Sequence, residues 1–165
     1  MGRLGRIRCV VVAAAVVAVV GGASTASTAP AATAAAFNAR FAGRLDVLLR
    51  PTGYQAVAWA TGTGTRIGQS VFLATGPAFL GLVTRVGACP KFSGVFSITA
   101  ESGDKIFGVI SKSKGCRTSL TGFRSAGTVR ILGGTGAFGT VAGQLRFRAS
   151  ANANGLFSLA LSGTL

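Results

Sequence analysis

Past residue 36 the chain alternates apolar and polar side chains in short runs, which is the period of strands and not of helices. The clearest pair comes last. Leu145, Phe147 and Ala149 alternate with Gln144, Arg146 and Arg148, and Phe157, Leu159 and Leu161 alternate with Ser158, Ala160 and Ser162. Their apolar sets share a face if Phe147 meets Leu159. That requires an odd loop around Ala153 with a glycine bulge, not a plain Asn154-Gly155 turn. Earlier runs cover Tyr54 to Ala60, Ile67 to Thr75, Phe79 to Val86 and Thr128 to Leu132, with Thr61-Gly62-Thr63-Gly64 and Gly76-Pro77 as separators. Arg117 to Ala126 is poorly patterned. The first ordered segment is Arg44 to Arg50. Phe37, Phe41, Leu45, Leu48 and Leu49 fit a helix, whereas Leu45, Val47 and Leu49 fit a strand; we read a strand.

A further hairpin runs from Phe92 to Ala100 and back from Lys105 to Ser111, around Glu101-Ser102-Gly103-Asp104. A two-residue turn at Ser102-Gly103 sets Phe96 opposite Val109, Ile98 opposite Phe107 and Val95 opposite Ile110. Extended to the open end, the same register sets Cys89 opposite Cys116. A bridge there closes a loop that contributes roughly 3 kcal/mol through the unfolded chain. Ile106 and Ile110 make the second face of the return strand apolar as well, so a partner subunit or an N-terminal strand must cover it. About eight short strands, glycine at most corners and glycines within strands (Gly94, Gly108, Gly143) predict an all-β fold, an eight-stranded antiparallel β-barrel in preference to a sandwich.

The N-terminus supplies an address. Arg3, Arg6 and Arg8 precede an apolar run from Cys9 to Val20 and then small residues, the layout of a secretory signal peptide. The run is short for a spanning helix, and no later window is long and uncharged enough to span. We therefore expect no transmembrane anchor in the mature chain. The expected division is residues 1–36 as signal peptide and Ala/Thr/Ser-rich leader and 37–165 as one barrel domain. Cleavage after Ala23, Ala26, Ala29 or Ala36 fits the small-residue rule. The expected location is secreted, extracellular or at the cell envelope. Such a compartment is oxidising, which makes a structural Cys89–Cys116 disulfide the default reading; nothing like a redox C-x-x-C is present.

Formal charge is +14 over 165 residues, with Asp46, Glu101 and Asp104 as the only acids. Such a field attracts polyanions and also keeps a small domain soluble. The basic residues are scattered along strands without dense blocks or interleaved aromatics, which argues against nucleic acid as a partner. Arg130, Arg146 and Arg148 make a basic stripe for anion contact if their strands are neighbours. Tyr54 and Trp59 are assigned to core packing.

The corner Gly133-Gly134-Thr135-Gly136-Ala137-Phe138-Gly139 contains a literal G-x-G-x-x-G, but Val141 to Ala149 alternates as a strand where a dinucleotide fingerprint needs a helix. No acid follows Asp104 to hold a ribose. It is a turn. The order strand, Gly-Gly-Thr-Gly-x-Phe (Gly133, Gly134, Thr135, Gly136, Phe138), strand, final hairpin resembles the C-terminal part of the allene oxide cyclase and dirigent superfamily. Phe92-Ser93-Gly94-Val95-Phe96 with Glu101-Ser102-Gly103-Asp104 is similar to the preceding hairpin of that family. The resemblance covers Gly76 to Leu165. It implies an eight-stranded barrel around a largely apolar cavity, a homo-oligomer, commonly a trimer, and a small apolar ligand. It also implies polar or acidic cavity residues for chemistry. Here Glu101 and Asp104 fall at a hairpin tip and Asp46 lies outside the resembling region, so no catalytic residue is carried over.

With no histidine, Ser-His-Asp hydrolysis, His-ligated zinc and Cys-His nucleophiles are excluded. Glu101 and Asp104 are better read as a solvated turn than as a glycosidase pair. We expect no cofactor, no metal and no catalytic constellation. The leading expectation is a secreted, non-enzymatic or weakly enzymatic barrel that binds a small apolar ligand in its lumen. The alternatives are cyclase- or dirigent-like steering of a reactive intermediate by shape, and a cationic cell-envelope interaction protein.

Overall fold

The computed structural model describes residues 35–51, 53–78 and 86–165. Eight strands follow one another: β1 (Ala36–Arg50), β2 (Gly53–Gly64), β3 (Gly68–Ala78), β4 (Lys91–Ala100), β5 (Lys105–Arg117), β6 (Gly122–Gly134), β7 (Gly143–Asn152) and β8 (Leu156–Thr164). All neighbours are antiparallel, and β8 returns to pair with β1, so the sheet closes into a barrel with no free edge. The expected signal peptide, leader and Cys9 lie outside the described residues, apart from Ala35 and Ala36. Ala35 exchanges both backbone hydrogen bonds with Leu165, at 2.9 and 3.0 Å.

Strand alternation decides what enters the lumen. On β1, Phe37, Ala39 and Phe41 are buried while Asn38, Arg40 and Ala42 face out. β1 starts well before the expected Arg44, because its apolar residues at alternate positions, also compatible with a helix, find partners on β2 and β8. Thr61-Gly62-Thr63-Gly64 and Gly76-Pro77 are not separators: they lie within β2 and β3. Arg117 to Ala126 holds the end of β5, a turn and the start of β6, which is far longer than Thr128 to Leu132. Of the expected strand Phe79 to Val86, only Val86 is described, and it sits in a turn.

The β4–β5 hairpin corrects the expected register and keeps its conclusion. The loop has three residues, Glu101 to Gly103, closed by Ala100 N–H to the Asp104 carbonyl at 2.9 Å, with Gly103 at φ 88°. Phe96 therefore faces Gly108, Ile98 faces Ile106 and Val95 faces Val109. Ile106 is buried in the lumen and Ile110 half-buried against it, while Phe107 and Val95 turn outward. Further up, β5 carries one extra residue between Ile110 and Ser113, where Lys112 adopts φ 48°. That bulge shifts the pairing by one and brings Cys89 opposite Cys116 after all. The two are disulfide-bonded with Cα atoms 4.1 Å apart. Flanking bonds from Gly115 N–H to the Pro90 carbonyl (3.1 Å) and Arg117 N–H to the Ala88 carbonyl (3.2 Å) continue the ladder around the bridge.

The β7–β8 loop is odd-numbered with a glycine at positive φ, as expected, but its centre is Asn154. Phe147 meets Leu161, not Leu159. The Asn152 side chain sets this loop, its Oδ1 accepting from Asn154 N–H and Leu156 N–H, both at 3.0 Å.

Candidate functional site

The two ends of the barrel are built differently. One end carries the β2–β3, β4–β5 and β6–β7 turns together with Ala35 and Leu165; the other carries the remaining turns and the disulfide. Inside the first end the inward positions hold large apolar side chains: Phe37, Ile67, Ile98, Ile106, Ile131 and Leu145 are all buried. The glycine corner completes the seal. Gly136–Phe138 forms a single 3-10 turn, and Phe138 is buried in the core cluster. This corner is tied to the β4–β5 turn. Thr135 and Lys105 share two bonds, Thr135 N–H to the Lys105 carbonyl at 2.8 Å and Lys105 N–H to Thr135 Oγ1 at 2.9 Å. Ala137 N–H donates to Asp104 Oδ2 at 3.3 Å. Gly136 has φ 54°, a conformation that favours glycine, and a Cβ there would push the Asp104 carboxylate aside. The residues singled out as the corner, Gly133, Gly134, Thr135, Gly136 and Phe138, thus form a plug, and Asp104 clamps it.

At the opposite end the inward positions shrink. Ala56 and Ala58 on β2, Ala74 on β3, and Ala149 and Ala151 on β7 leave space that the closed half fills. The result is a cavity of about 720 Å³ that opens between the turns. Phe72 forms its floor, with its ring 5.5 Å from Phe41, 6.2 Å from Phe96 and 6.4 Å from Phe157. Phe92 and Phe147, edge to face at 6.1 Å, form one wall. Among the described residues, the charged groups that line it are Arg44, Asp46 and Arg117, at the mouth. This size and apolar lining suit a drug-sized hydrophobic molecule. Alternation predicts which residues face inward. It does not show that alanines gather on one side of the Phe72 layer, which appears only once neighbouring strands are aligned.

Other residues fall outside the lumen. Trp59 is 46% exposed and Tyr54 37% exposed, correcting their assignment to the core. Trp59 sits across from Leu73 on an outer wall where Val71, Val95 and Phe107 are also exposed. Both faces of these strands are apolar, so periodicity alone cannot say which is inside. The face left uncovered is this one and not that of Ile106 and Ile110; β1 closes the barrel without covering it.

The stripe of arginines is real in the sense that its strands are neighbours. Thr128 pairs with Arg146, Ala126 with Arg148 and Arg130 with Gln144, and all three arginines are exposed on one outer wall. Arg124, on β6 beside Ser150, and Arg40, brought in by the β1–β8 closure, flank Arg148 in a shallow groove floored by Ser150, Ser158 and Ala160. The alternation of Arg40 with Phe41 is the signal that could have found the first of them. Glu101 and Asp104 lie at the sealed end, away from the cavity. Among the described residues, no group of three or more acidic, cysteine or histidine side chains is arranged to hold a metal ion. No protein-family model, curated protein or solved structure matches this chain.

Proposed function

We propose that this protein is a secreted carrier whose barrel lumen binds a small apolar molecule. The observation that carries the reading is the one-ended cavity, walled by alanine and phenylalanine and floored by the Phe72 layer. The likeness of the glycine corner and its flanking strands to the allene oxide cyclase and dirigent superfamily supports the same reading. Burying an apolar ligand there exchanges hydrated surface for contact with aromatic walls, at roughly 25 cal/mol per Å² removed from water. Export fits the disulfide and the basic N-terminal segment. Cleavage after Ala23, Ala26 or Ala29 leaves β1 whole, whereas cleavage after Ala36 removes a residue that pairs with Thr164.

Native mass spectrometry of gently purified protein, together with titration of a fluorescent fatty probe, tests the proposal. We expect a co-purifying apolar mass and saturable probe uptake that Ala58→Phe with Ala74→Phe abolishes, because both side chains fill the cavity. Uptake unchanged in that variant, or none in the parent, overturns it.

A second reading has the lumen steer a reactive intermediate by shape. Asp46 and Arg44 beside the mouth are the ionisable groups at hand for it. Product formation from a candidate precursor, altered by Asp46→Asn with probe uptake intact, would distinguish steering from carriage.

A further inference from the structure

Large apolar side chains are exposed at the open end. Leu49 is 74% exposed, Leu120 79%, Val47 52% and Val86 50%. Val47 and Leu49 lie at the end of β1, Leu120 in the β5–β6 turn and Val86 in the described stretch that leads into β4, all at the open end. Among the described residues, Leu132 (52%) and Phe107 (42%) are exposed in strands toward the sealed end, but none there reaches the exposure of Leu49 or Leu120. Patches of this kind mark contact with another apolar phase.

The same rim is cationic. Arg50, Lys91, Lys114 and Arg117 lie within it, and Lys91 pairs directly with Lys114. Two of these are held in place. Arg50 Nε donates to Gln55 Oε1 at 3.0 Å, and Gln55 Nε2 donates to Thr75 Oγ1 at 2.7 Å. Arg117 donates to the Ser119 carbonyl (3.1 Å) and the Leu120 carbonyl (2.7 Å), fixing the turn that presents Leu120 to solvent. Of the three acids in the chain, Asp46 alone lies near the mouth; Glu101 and Asp104 are at the far end. Charge and apolarity therefore coincide on one end of the molecule.

We infer that the open end docks on an anionic lipid bilayer, with Leu49, Val86 and Leu120 entering the interface while the basic rim contacts headgroup phosphates. Basic residues around an apolar tip are the combination that binds anionic membranes, and neither half suffices alone. A soluble polyanion would account for the cations but not for the leucines. The inference deepens the carrier reading and rests on it: a mouth held against the bilayer lets an apolar ligand pass between lipid and lumen without crossing water.

Flotation of the full protein with vesicles tests it, comparing phosphatidylglycerol-containing and pure phosphatidylcholine membranes at low and high salt. We expect binding to the anionic vesicles that salt weakens, and a drop of about tenfold in Leu49→Asp with Val86→Asp. Neither residue lines the cavity, so fatty-probe uptake measured without vesicles should persist in that variant; loss of uptake in the parent protein sinks the carrier reading separately. Arg146→Gln with Arg148→Gln, on the outer wall, should retain most vesicle binding. Absence of binding by the parent, binding by the aspartate variant equal to the parent, or binding lost only in the arginine variant and matched by free polyphosphate would each overturn the inference.

Discussion

The sealed end and the open end share one sheet and one alternation, yet they differ in what fills the inward positions. At the sealed end branched and aromatic residues meet in the middle and a folded corner is drawn in behind them. At the open end alanines stop short of one another and a covalent bridge holds the rim. Stability at one end therefore comes from packing; at the other it comes from a cross-link and from strand pairing that continues around it. A barrel end that is to admit a ligand cannot be held by its own core, so some other constraint must define its shape.

This contrast is broken most strongly by removing the plug. Phe138→Ala deletes a buried ring that the surrounding isoleucines cannot replace, and we expect a loss of about 3–5 kcal/mol in denaturant unfolding with the cavity at the other end unaffected. Replacing both Cys89 and Cys116 with serine should cost about 3 kcal/mol, read as a lower midpoint in the same experiment. Unlike the plug variant, it should also loosen fatty-probe binding, since the bridge borders the mouth. The smallest effect belongs to Leu49→Ser. That side chain is exposed, so stability should change by no more than about 0.5 kcal/mol while vesicle binding falls. Equal losses of stability from all three would mean that the two ends are not held differently.

Much of this was legible in the chain. Most of the strands, the closed architecture and the cystine followed from alternation, glycine corners and spacing, whereas the separators expected at Thr61–Gly64 and Gly76–Pro77 fall inside strands. The register near Gly103 did not follow, because a two-residue and a three-residue loop draw on the same residues and Gly103 can take positive φ in either. Nor did the bulge at Lys112, since lysine carries no signal for a left-handed backbone. The expected and observed pairings of Cys89 agree because the bulge offsets the extra loop residue. Trp59 was misplaced because its strand is apolar on both faces. The cavity was the least visible, since it depends on Ala58, Ala74 and Ala149 lying at similar heights on β2, β3 and β7.

The seam between β1 and β8 joins the first and last residues of the described sheet, Ala35 and Leu165. Every other ladder links neighbours in the chain and can zip up locally as a hairpin. The seam cannot begin until the final strand has been made, and it has the largest loop-closure entropy to overcome. Until that moment a growing chain is a curled sheet with two bare margins, able to stick to its siblings. Completing the cylinder is thus the step with the longest loop to close, and the open sheet before it is the form with margins free to pair with another copy.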